Sequence, residues 1–500
     1  MRRPARRQKK ILFVYNSSEH IGLTYLSSFL KARGHEVRLA YDPQLFRGEP
    51  LVRVPGLVDR FDLSDRIVAA AASWRPDVVG FSCYTDNFRW MLGLAEAIKE
   101  VCPDTLNVFG GVHVSGVPEV VGSYPQVDAM VLGEGEEAFA ELVESIEDGK
   151  PSLDIANCWV RDGEDWKRNP LRPYIADLDA LPIRDYQLFY DKVPALESTY
   201  LCMTSRGCPY SCSYCSVEMY HRIYKEIGDK TRVRKRSVDG VLEELHEIKA
   251  RGRVKSIAFY DEVFTSPRRW LQEFLPRYRT EIGLPFWCYT YPSGLDPALA
   301  KLMADAGCWM MTMGVQSGSR EIRRNVMDRR ESDEKLFATA RVIKEAGIRL
   351  SVDKILGSPG ESEQDRQLDL KVFRELNPDR ILTFPLTFFP GTDMVRRAEE
   401  AGELSREERE RLENGYLEQG PTQGRLAQNE QAYRKLRIQM GMISLLGGGE
   451  RLLAPLAGVL ARGPGAALVN PLLLAANAVR IGDRKFEYLV EVAFGAKNVP

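Results

Sequence analysis

Three observations predict an α/β chain made of a doubly wound parallel sheet, a central partial (β/α)6 barrel and a mainly helical carboxyl-terminal cap. Short apolar runs alternate with amphipathic stretches from Ile11 to about Gly149. A second alternation on a different plan starts at Thr199, and after Thr392 the chain becomes charged and helical, then apolar. At 500 residues and 44% apolar content there is enough material for real cores, and 69 basic against 70 acidic side chains leave no global field that would draw nucleic acid. Nine cysteines, three in one loop and the others single, indicate no disulfide framework and fit a reducing cytoplasm.

The first unit spans about 1–150. It opens on Met1–Lys10, a solvated basic arm or, in a sharper reading, a membrane-surface or targeting segment; the apolar run after it is too short for a signal-peptide core. Ile11–Tyr15, Glu36–Ala40, Val78–Tyr84, Asn107–Gly111 and Ala129–Gly133 read as strands, each followed by a helical pattern or a turn. That rhythm gives a parallel sheet whose ligands lie beyond the carboxyl ends of the strands. Ser17, Ser18 and His20 follow the first strand, and Ser82, Tyr84 and Thr85 the third. Gly110, Gly111, Val112 and His113 follow the fourth, and Gly133, Glu134, Gly135 and Glu136 the fifth. Paired glycines let a flat ligand lie against backbone where a Cβ would block it.

From 151 to 195 the pattern breaks into a hairpin, with Asp162-Gly163 between the arms of Trp159–Lys167, and an extended linker over Asn169–Pro194. Six strand-like runs then fill 196–395: Thr199–Met203, Lys255–Tyr260, Pro285–Thr290, Met310–Gln316, Leu350–Leu356 and Ile381–Phe389. In barrels of such units the chemistry sits at the carboxyl ends. The loop after the first run carries Cys208, Cys212 and Cys215 at the spacing Cys-x3-Cys-x2-Cys. Three thiolates so placed hold three corners of a 4Fe–4S cluster and leave the fourth iron open to a small molecule. The alternatives are a zinc site, for which the nearest histidine, His221, lies six residues past the last cysteine, and three unrelated core cysteines. Cys288 and Cys308 read as buried small side chains.

The last unit, 396–500, begins with a charge-rich solvated helix over Arg396–Leu412. From Met440 it turns apolar, but Arg462, Pro464 and Pro471 interrupt it, so no clean run of about 18 residues exists to span a bilayer. A helical cap over the barrel mouth is the plain reading; an apolar lid that admits a greasy substrate, or touches a membrane surface from the cytoplasmic side, is the sharper one.

The run Ser205-Arg206-Gly207-Cys208-Pro209-Tyr210-Ser211-Cys212-Ser213-Tyr214-Cys215 resembles the cluster loop of radical S-adenosylmethionine enzymes. The resemblance implies that S-adenosylmethionine chelates the open iron through its amino and carboxylate groups. On that reading Asp261 or Glu262 neutralises the ammonium, Gln316 and Ser317 bond the carboxylate or ribose, and the backbone near Tyr214, the segment Ile355–Gly357 and the sixth-strand end pack around adenine. Gln316 stands where the family more often has Glu, and Glu361 is either part of this group or a helix N-terminal acid. Asp353 and Lys354 read as groups near the barrel mouth or ordinary strand-end charges.

The first unit is similar to the Rossmann-like cobalamin-binding domain found ahead of many such cores. The similarity implies a cobalamin site from Ser17, His20, Ser82, Tyr84, Thr85, Gly110, Gly111, Val112, His113, Gly133, Glu134 and Gly135, with Ser82 and the glycine pair at the nucleotide tail. The Asp-x-His-x-x-Gly motif is absent, since Ser18 and Leu23 stand where Asp and Gly would be. His20 is then a loop or capping residue, and cobalt's lower face is held without a protein histidine. The bland alternative is a sheet that only packs on the core.

Together these parts imply a cobalamin-dependent radical methylase of an unactivated carbon or phosphorus centre, acting through a 5′-deoxyadenosyl radical and methylcobalamin. A non-methylating radical enzyme of ring formation, oxidation or rearrangement is the second reading, and a cluster-containing binding protein without turnover the third. The expected partners are a small-molecule substrate, an isoprenoid, lipid or tetrapyrrole before a sugar or peptide, and an external electron donor such as flavodoxin or ferredoxin.

Overall fold

The computed structural model describes residues 7–16, 19–43, 62–416, 429–447, 450–462 and 466–481. Ser17, expected in the cobalamin site, and its neighbour Ser18 lie outside these residues.

The first sheet holds β1 (Lys10–Asn16), β2 (Glu36–Asp42), β3 (Val78–Ser82), β4 (Leu106–Gly110), β5 (Ala129–Val131), β6 (Cys158–Asp162) and β7 (Asp165–Arg168) in the order β2-β1-β3-β4-β5-β6-β7. The first five are parallel, as the alternation predicts, and their apolar runs are buried on both faces under helices. The chain winds outward from β1 to β2 and then returns to β3, so the strand order reverses between β1 and β3. That switch point opens a crevice beyond the strand ends. The expected hairpin is the antiparallel pair β6–β7, which turns at Gly163 (φ +66°) and extends the same sheet through β5.

The second sheet joins β8 (Thr199–Cys202), β11 (Ser256–Phe259), β12 (Phe286–Thr290), β13 (Cys308–Gln316), β14 (Arg349–Leu356) and β15 (Arg380–Pro385), all parallel, in that spatial order. Strands β8 and β15 are the two edges, so the barrel is partial. Alternate residues face opposite ways. Ile257, Phe259, Phe286, Cys288, Met311 and Val352 join the main core, whereas Ala258, Trp287 and Met310 form a separate cluster with Tyr260 and Tyr289 inside the barrel. The sixth strand was expected to run to Phe389 but stops at Pro385, which has no N–H to continue a ladder.

A third, two-stranded piece is not foreshadowed in the sequence: β9 (Ser205–Gly207) pairs antiparallel with β10 (Val233–Lys235), setting Arg206 opposite Arg234. At the other end of the chain, the helix Glu430–Leu446 packs along β15 and on the helix Glu363–Leu376, and the helices Glu450–Leu460 and Ala466–Ile481 pack on it in turn. Ile481 reaches the barrel-interior cluster, and its carbonyl accepts from Arg349 at the start of β14. No helix among the described residues is long and apolar enough to cross a membrane.

Candidate functional site

The cysteine loop is fixed at both ends. Gly207 (φ +90°) closes β9 where an added Cβ would lie 2.0 Å from the Arg232 carbonyl oxygen, so no other residue fits. Downstream, Ser213 donates through Oγ to the Val326 carbonyl (2.6 Å) and through its amide to Met327 (3.1 Å), and the helix Ser216–Glu226 starts directly after Cys215. Burial pushes the Cys208 thiol up to about 12 and Cys215 up to about 11, and raises Cys212 as well. The structure does not draw the three thiols together into a metal-holding group; it is the donor set, three thiols on one short loop ahead of the helix Ser216–Glu226, that suits an iron–sulfur cluster with one open corner. His221 turns Nε2 to the Cys208 carbonyl (3.2 Å).

A buried arginine that sequence reasoning missed sits behind the loop. Arg329 donates to the Gly314 carbonyl (2.6 Å), the Tyr214 hydroxyl (3.2 Å) and Glu331 (2.8 Å), and its Nη1 stands 4.0 Å from Cys212 Sγ. Its guanidinium also lies over the Tyr291 ring, which stacks on Tyr210. Fixed positive charge is thereby held next to the place where an anionic cluster would sit. No motif announced it, because Arg329 lies 114 residues beyond Cys215 and reads as part of an ordinary charge run.

The residues expected around S-adenosylmethionine divide into two groups. Asp261 is fully buried and committed: it accepts from the Thr204 amide (3.2 Å) and hydroxyl (2.7 Å) and from the Ser205 hydroxyl, and pairs with Lys235 (3.4 Å). It holds the approach to the cluster loop instead of facing a ligand. Ser317 is likewise spent, with Oγ donating to Asp369 (3.2 Å) and accepting from the Ser319 amide. Glu262 and Gln316 are the open pair. Glu262 Oε2 and Gln316 Oε1 are buried without a hydrogen-bond partner, and burial pushes the Glu262 carboxyl up to about 7. Gln316 adopts φ +66° where β13 slips register against β14, a conformation that costs a non-glycine residue of order 1 kcal/mol and marks functional positions. Tyr214 and Ile355 each pack against the cluster that holds Leu386 and Phe388, while Gly357 (φ +79°) donates its amide to Glu361. Glu361 itself pairs with Lys354 (2.7 Å), and both are fully buried.

A cavity of about 380 Å³ opens where the carboxyl ends of the first sheet face the cluster loop. Its floor is apolar, with Phe13, Leu23, Leu26, Phe81, Val108 and Phe139; His20, Ser82, Tyr84, Gly110, Gly111, Val112, Gly133, Glu134 and Gly135 line its strand-end side. The opposite wall comes from the barrel: Arg206, Gly207, Ser216, Val217, Tyr220, His221 and Glu262. An apolar slot under a polar rim fits cobalamin, which carries an aromatic nucleotide tail and an amide-fringed ring. Two described members of the expected set are absent from this wall. His113 is fully buried, bonded through Nδ1 to Thr85 Oγ1 (3.1 Å) and packed on Phe88, so His113 and Thr85 support the loop from behind.

His20 caps the helix Ile21–Lys31 through Nδ1 (3.0 Å from the Leu23 amide), its Nε2 meets Ser82 Oγ (3.3 Å), and burial drives its pKa down to about 4. Both ring nitrogens are thus engaged, and the capping role expected of it is the one seen. The glycine pair has a packing reason beside the one expected. A Cβ on Gly111 (φ +97°) would lie 2.9 Å from the Cys83 amide nitrogen and carbonyl oxygen, and one on Gly110 3.3 Å from the Val131 carbonyl oxygen. Chain packing alone demands glycine at 111 and makes 110 tight, and both glycines also line the cavity. Gly111→Ala is expected to lower stability by about 1–3 kcal/mol in a urea titration. Gly149→Ala, at φ +77° with open space around its Cβ, is expected to cost less; equal costs would show that the contact at Cys83 does not matter.

The cavity's two walls are tied by charge. Arg206 reaches from β9 to Glu134 (3.1 Å) and Glu136 (2.6 Å), and Arg234 from β10 to Glu134 (2.7 Å). Burial alone would raise the Glu134 carboxyl, but Arg234 and Arg206 outweigh it and hold it below its ordinary value. On the other side, buried Arg184 of the linker pairs with Glu19 (2.5 Å), next to His20, and donates to Tyr200 of β8 (3.1 Å). The cofactor loops of the first sheet are therefore registered against the barrel at two places. The two-stranded β9–β10 piece supplies one of them.

The radical SAM superfamily model matches residues 203–372, and the B12 binding domain model matches residues 12–143. An uncharacterised methyltransferase of Pyrococcus horikoshii, PH0819, is 27% identical over 376 residues, 74% of this chain and 76% of the relative. Cytidylyl-2-hydroxyethylphosphonate methyltransferase of Streptomyces wedmorensis is 25% identical over 78% of this chain and 79% of its own length. The anaerobic magnesium-protoporphyrin IX monomethyl ester cyclase of Rubrivivax gelatinosus is 25% identical over 75% of this chain and 65% of its own. In fold, the chain is similar to the cobalamin-dependent S-adenosylmethionine radical enzyme OxsB with aqua-cobalamin bound (TM-score 0.68, 14% identity, 98% of this chain and 79% of that one). It is also similar to the radical S-adenosylmethionine methyltransferase TsrM of Kitasatospora setae with cobalamin and a 4Fe–4S cluster bound (TM-score 0.61, 20% identity, 79% of each chain). The two family matches fall on the two sheets that the cavity joins, and the chain belongs to the cobalamin-dependent radical S-adenosylmethionine enzymes, whose cofactors are a 4Fe–4S cluster, S-adenosylmethionine and cobalamin.

Proposed function

We propose that the enzyme is a methyltransferase that places a methyl group on an unactivated carbon or phosphorus centre. The observation that carries this reading is the shared cavity: cobalamin-side Ser82, Gly110 and Gly133 and cluster-side Gly207, Ser216 and Glu262 border one continuous space. When bound, the reduced cluster with S-adenosylmethionine supplies a carbon radical, and cobalamin supplies the methyl group. The chain's part is to bind and align them. Cys208, Cys212 and Cys215 hold three irons, Glu262 meets the methionyl ammonium, and Gln316 Oε1 accepts from the ligand. Tyr214, Ile355 and Gly357 flank the adenine, while Asp261 and Ser317 act through the segments that they anchor. Two of the relatives above are named methyltransferases, which supports methyl transfer.

The barrel interior supports an apolar substrate. Tyr260, Trp287 and Tyr289 stand edge to face with ring centroids 5.4–5.7 Å apart, a wall suited to an isoprenoid, lipid or tetrapyrrole skeleton. A one-electron protein donor of the flavodoxin or ferredoxin type and a cytoplasmic setting complete the reading. The test is anaerobic turnover with reductant and methyl-labelled S-adenosylmethionine. Methyl transfer predicts S-adenosylhomocysteine and 5′-deoxyadenosine together; 5′-deoxyadenosine alone contradicts it and favours the cyclase-like alternative.

The division between Glu262 and Asp261 has its own test. Glu262→Gln removes a charge-assisted bond and is expected to weaken S-adenosylmethionine binding roughly 10–100-fold at unchanged iron content. Asp261→Asn is expected to lose iron instead, because it frees Thr204 and Ser205 at the root of the cluster loop. Equilibrium binding and iron analysis on both variants decide between the assignments.

A further inference from the structure

We infer that Arg329 is a positioning residue for charge: it raises the reduction potential of the cluster, and Glu331 on its far edge sets how much of that charge the cluster feels. The inference rests on Cys208, Cys212 and Cys215 as cluster ligands and is independent of what the enzyme methylates. The guanidinium is 3% exposed and held on every edge. Nη2 donates to the Gly314 carbonyl (2.6 Å), Nε to Glu331 (2.8 Å) and Nη1 to the Tyr214 hydroxyl (3.2 Å). Nη1 is also the atom that stands 4.0 Å from Cys212 Sγ. The guanidinium lies over Tyr291, whose hydroxyl donates to Glu331 and whose ring stacks at 3.6 Å on Tyr210 of the cysteine loop. A planar fork fits this setting, since each of its edges has a fixed partner.

Two ion pairs stand behind the loop, and their orientation decides the sign. Glu331 meets the Nε edge of Arg329, while the Nη1 end faces the thiol, so the pair turns its positive end to Cys212. Glu331 is shared as well: Arg323, also fully buried, lies 3.7 Å from it and itself pairs with half-buried Asp333 and donates to the Ser317 carbonyl (2.7 Å). A cluster with its thiolates is anionic and gains one more negative charge on reduction, and net charge and hydrogen bonds to sulfur set its potential. A cation fixed at a ligand sulfur therefore favours the reduced state. Burial decides the size of the effect, because water and salt screen buried charges much less than exposed ones. Arg232 provides the contrast. It reaches the same loop, at the Tyr210 carbonyl (2.9 Å) and Ser211 Oγ (3.0 Å), but its side chain is 37% exposed and paired with Glu218. In function, a potential raised by Arg329 lets a protein donor of ordinary strength populate the reduced cluster.

The test is a potential, which a purely structural role would not move in a set direction. The full chain is reconstituted with iron and sulfide, without S-adenosylmethionine, and titrated anaerobically with titanium(III) citrate while electron paramagnetic resonance counts the reduced cluster. Arg329→Gln is expected to hold about tenfold less reduced relative to oxidised cluster at a given potential, a midpoint lowered by about 59 mV for one electron. Glu331→Gln keeps the shape but removes the opposing charge, and is expected to move the midpoint upward. Arg329→Lys is expected to recover most of the loss, and Arg232→Gln to stay near the unaltered chain. Iron content and visible absorbance report that each preparation holds its cluster. Midpoints of Arg329→Gln and Glu331→Gln that do not move in opposite directions, or an Arg329→Lys midpoint as low as that of Arg329→Gln, would overturn the inference. If Arg329→Gln holds no cluster, Glu331→Gln decides, and a midpoint at or below that of the unaltered chain would overturn it. An unaltered chain that takes up no iron would instead overturn the ligand assignment, and the inference with it.

Discussion

Cys212→Ala is expected to abolish the broad visible absorption of the reconstituted cluster and all cleavage of S-adenosylmethionine, while leaving the fold and cobalamin retention intact. Cys212 is the most buried of the three thiols and the one that Arg329 approaches, at 4.0 Å. Without it, one iron has no thiolate and Arg329 has no sulfur anion to face. The fold has little to lose, because the loop is held by Ser213, Met327 and the β9–β10 pair and not by the thiol. The side chain of Cys212 does not border the cavity. Iron content, absorbance and nucleoside products measured on one preparation check all three parts. Cluster absorbance that survives in Cys212→Ala would remove this residue from the ligand set.

Lys354→Met is expected to cost the largest share of stability of any single change outside the cluster. Lys354 Nζ lies 2.7 Å from Glu361 and 2.9 Å from Asp369, with all three side chains fully buried. Tyr433 donates to Glu361 (2.6 Å) from the carboxyl-terminal helix, and Gly318 donates its amide to Asp369 (2.5 Å) beside Ser317. The lysine thus stitches the strand-end loops after β13 and β14 to the helix Glu430–Leu446. Removing this cation takes the paired positive charge from two buried carboxylates, at a cost of about 3–5 kcal/mol in urea unfolding. Burial already lifts the Asp369 carboxyl to about 6, against the partial pull of Lys354. A folded-state value raised above the unfolded one means that the native variant takes up a proton first as pH falls. The cost is therefore full above that pH and fades below it. The triple replacement Lys354→Met, Glu361→Gln, Asp369→Asn is expected to recover part of the loss; no recovery would mean that the packing of the lysine stem, not its charge, is what matters.

The two large sheets were legible because their signal is periodic. Five apolar runs in the first and six in the second are buried strands in a parallel arrangement, and each is long enough for its alternation to be counted. The β9–β10 piece escaped because three-residue strands rich in Arg, Lys and Ser carry no apolar period. Within the site, the cysteine spacing is local and could be read directly. Glu262, Gln316 and the strand-end glycines followed from knowing which end of a parallel strand faces ligands. What the sequence could not convey was which polar side chain is already spent. Asp261 and Glu262 are neighbours, yet the first is consumed by Thr204 and Ser205, 57 and 56 residues earlier, while the second keeps an unpartnered oxygen. His113 turns Nδ1 to Thr85 out of the cavity for the same reason, and Lys354 reads as a mouth group or strand-end charge, and Glu361 as a ligand group or helix N-terminal acid, until Asp369 and Tyr433 are seen to enclose them. Long-range pairing, not residue type, makes those assignments.

The central claim is that cobalamin sits in the cavity between the first sheet and the cluster loop, with no histidine of this chain on cobalt. Electron paramagnetic resonance of the cobalt(II) form, bound to the full chain grown on ordinary or on isotopically labelled histidine, tests it most directly. His20 spends Nδ1 on the Leu23 amide and Nε2 on Ser82, and His221, the other histidine on the cavity wall, stands on the cluster side with Nε2 at the Cys208 carbonyl, so the two spectra are predicted to be identical and free of splitting from a protein imidazole. Nitrogen splitting that changes with the histidine label, or a chain that retains no cobalamin at all, would contradict the account.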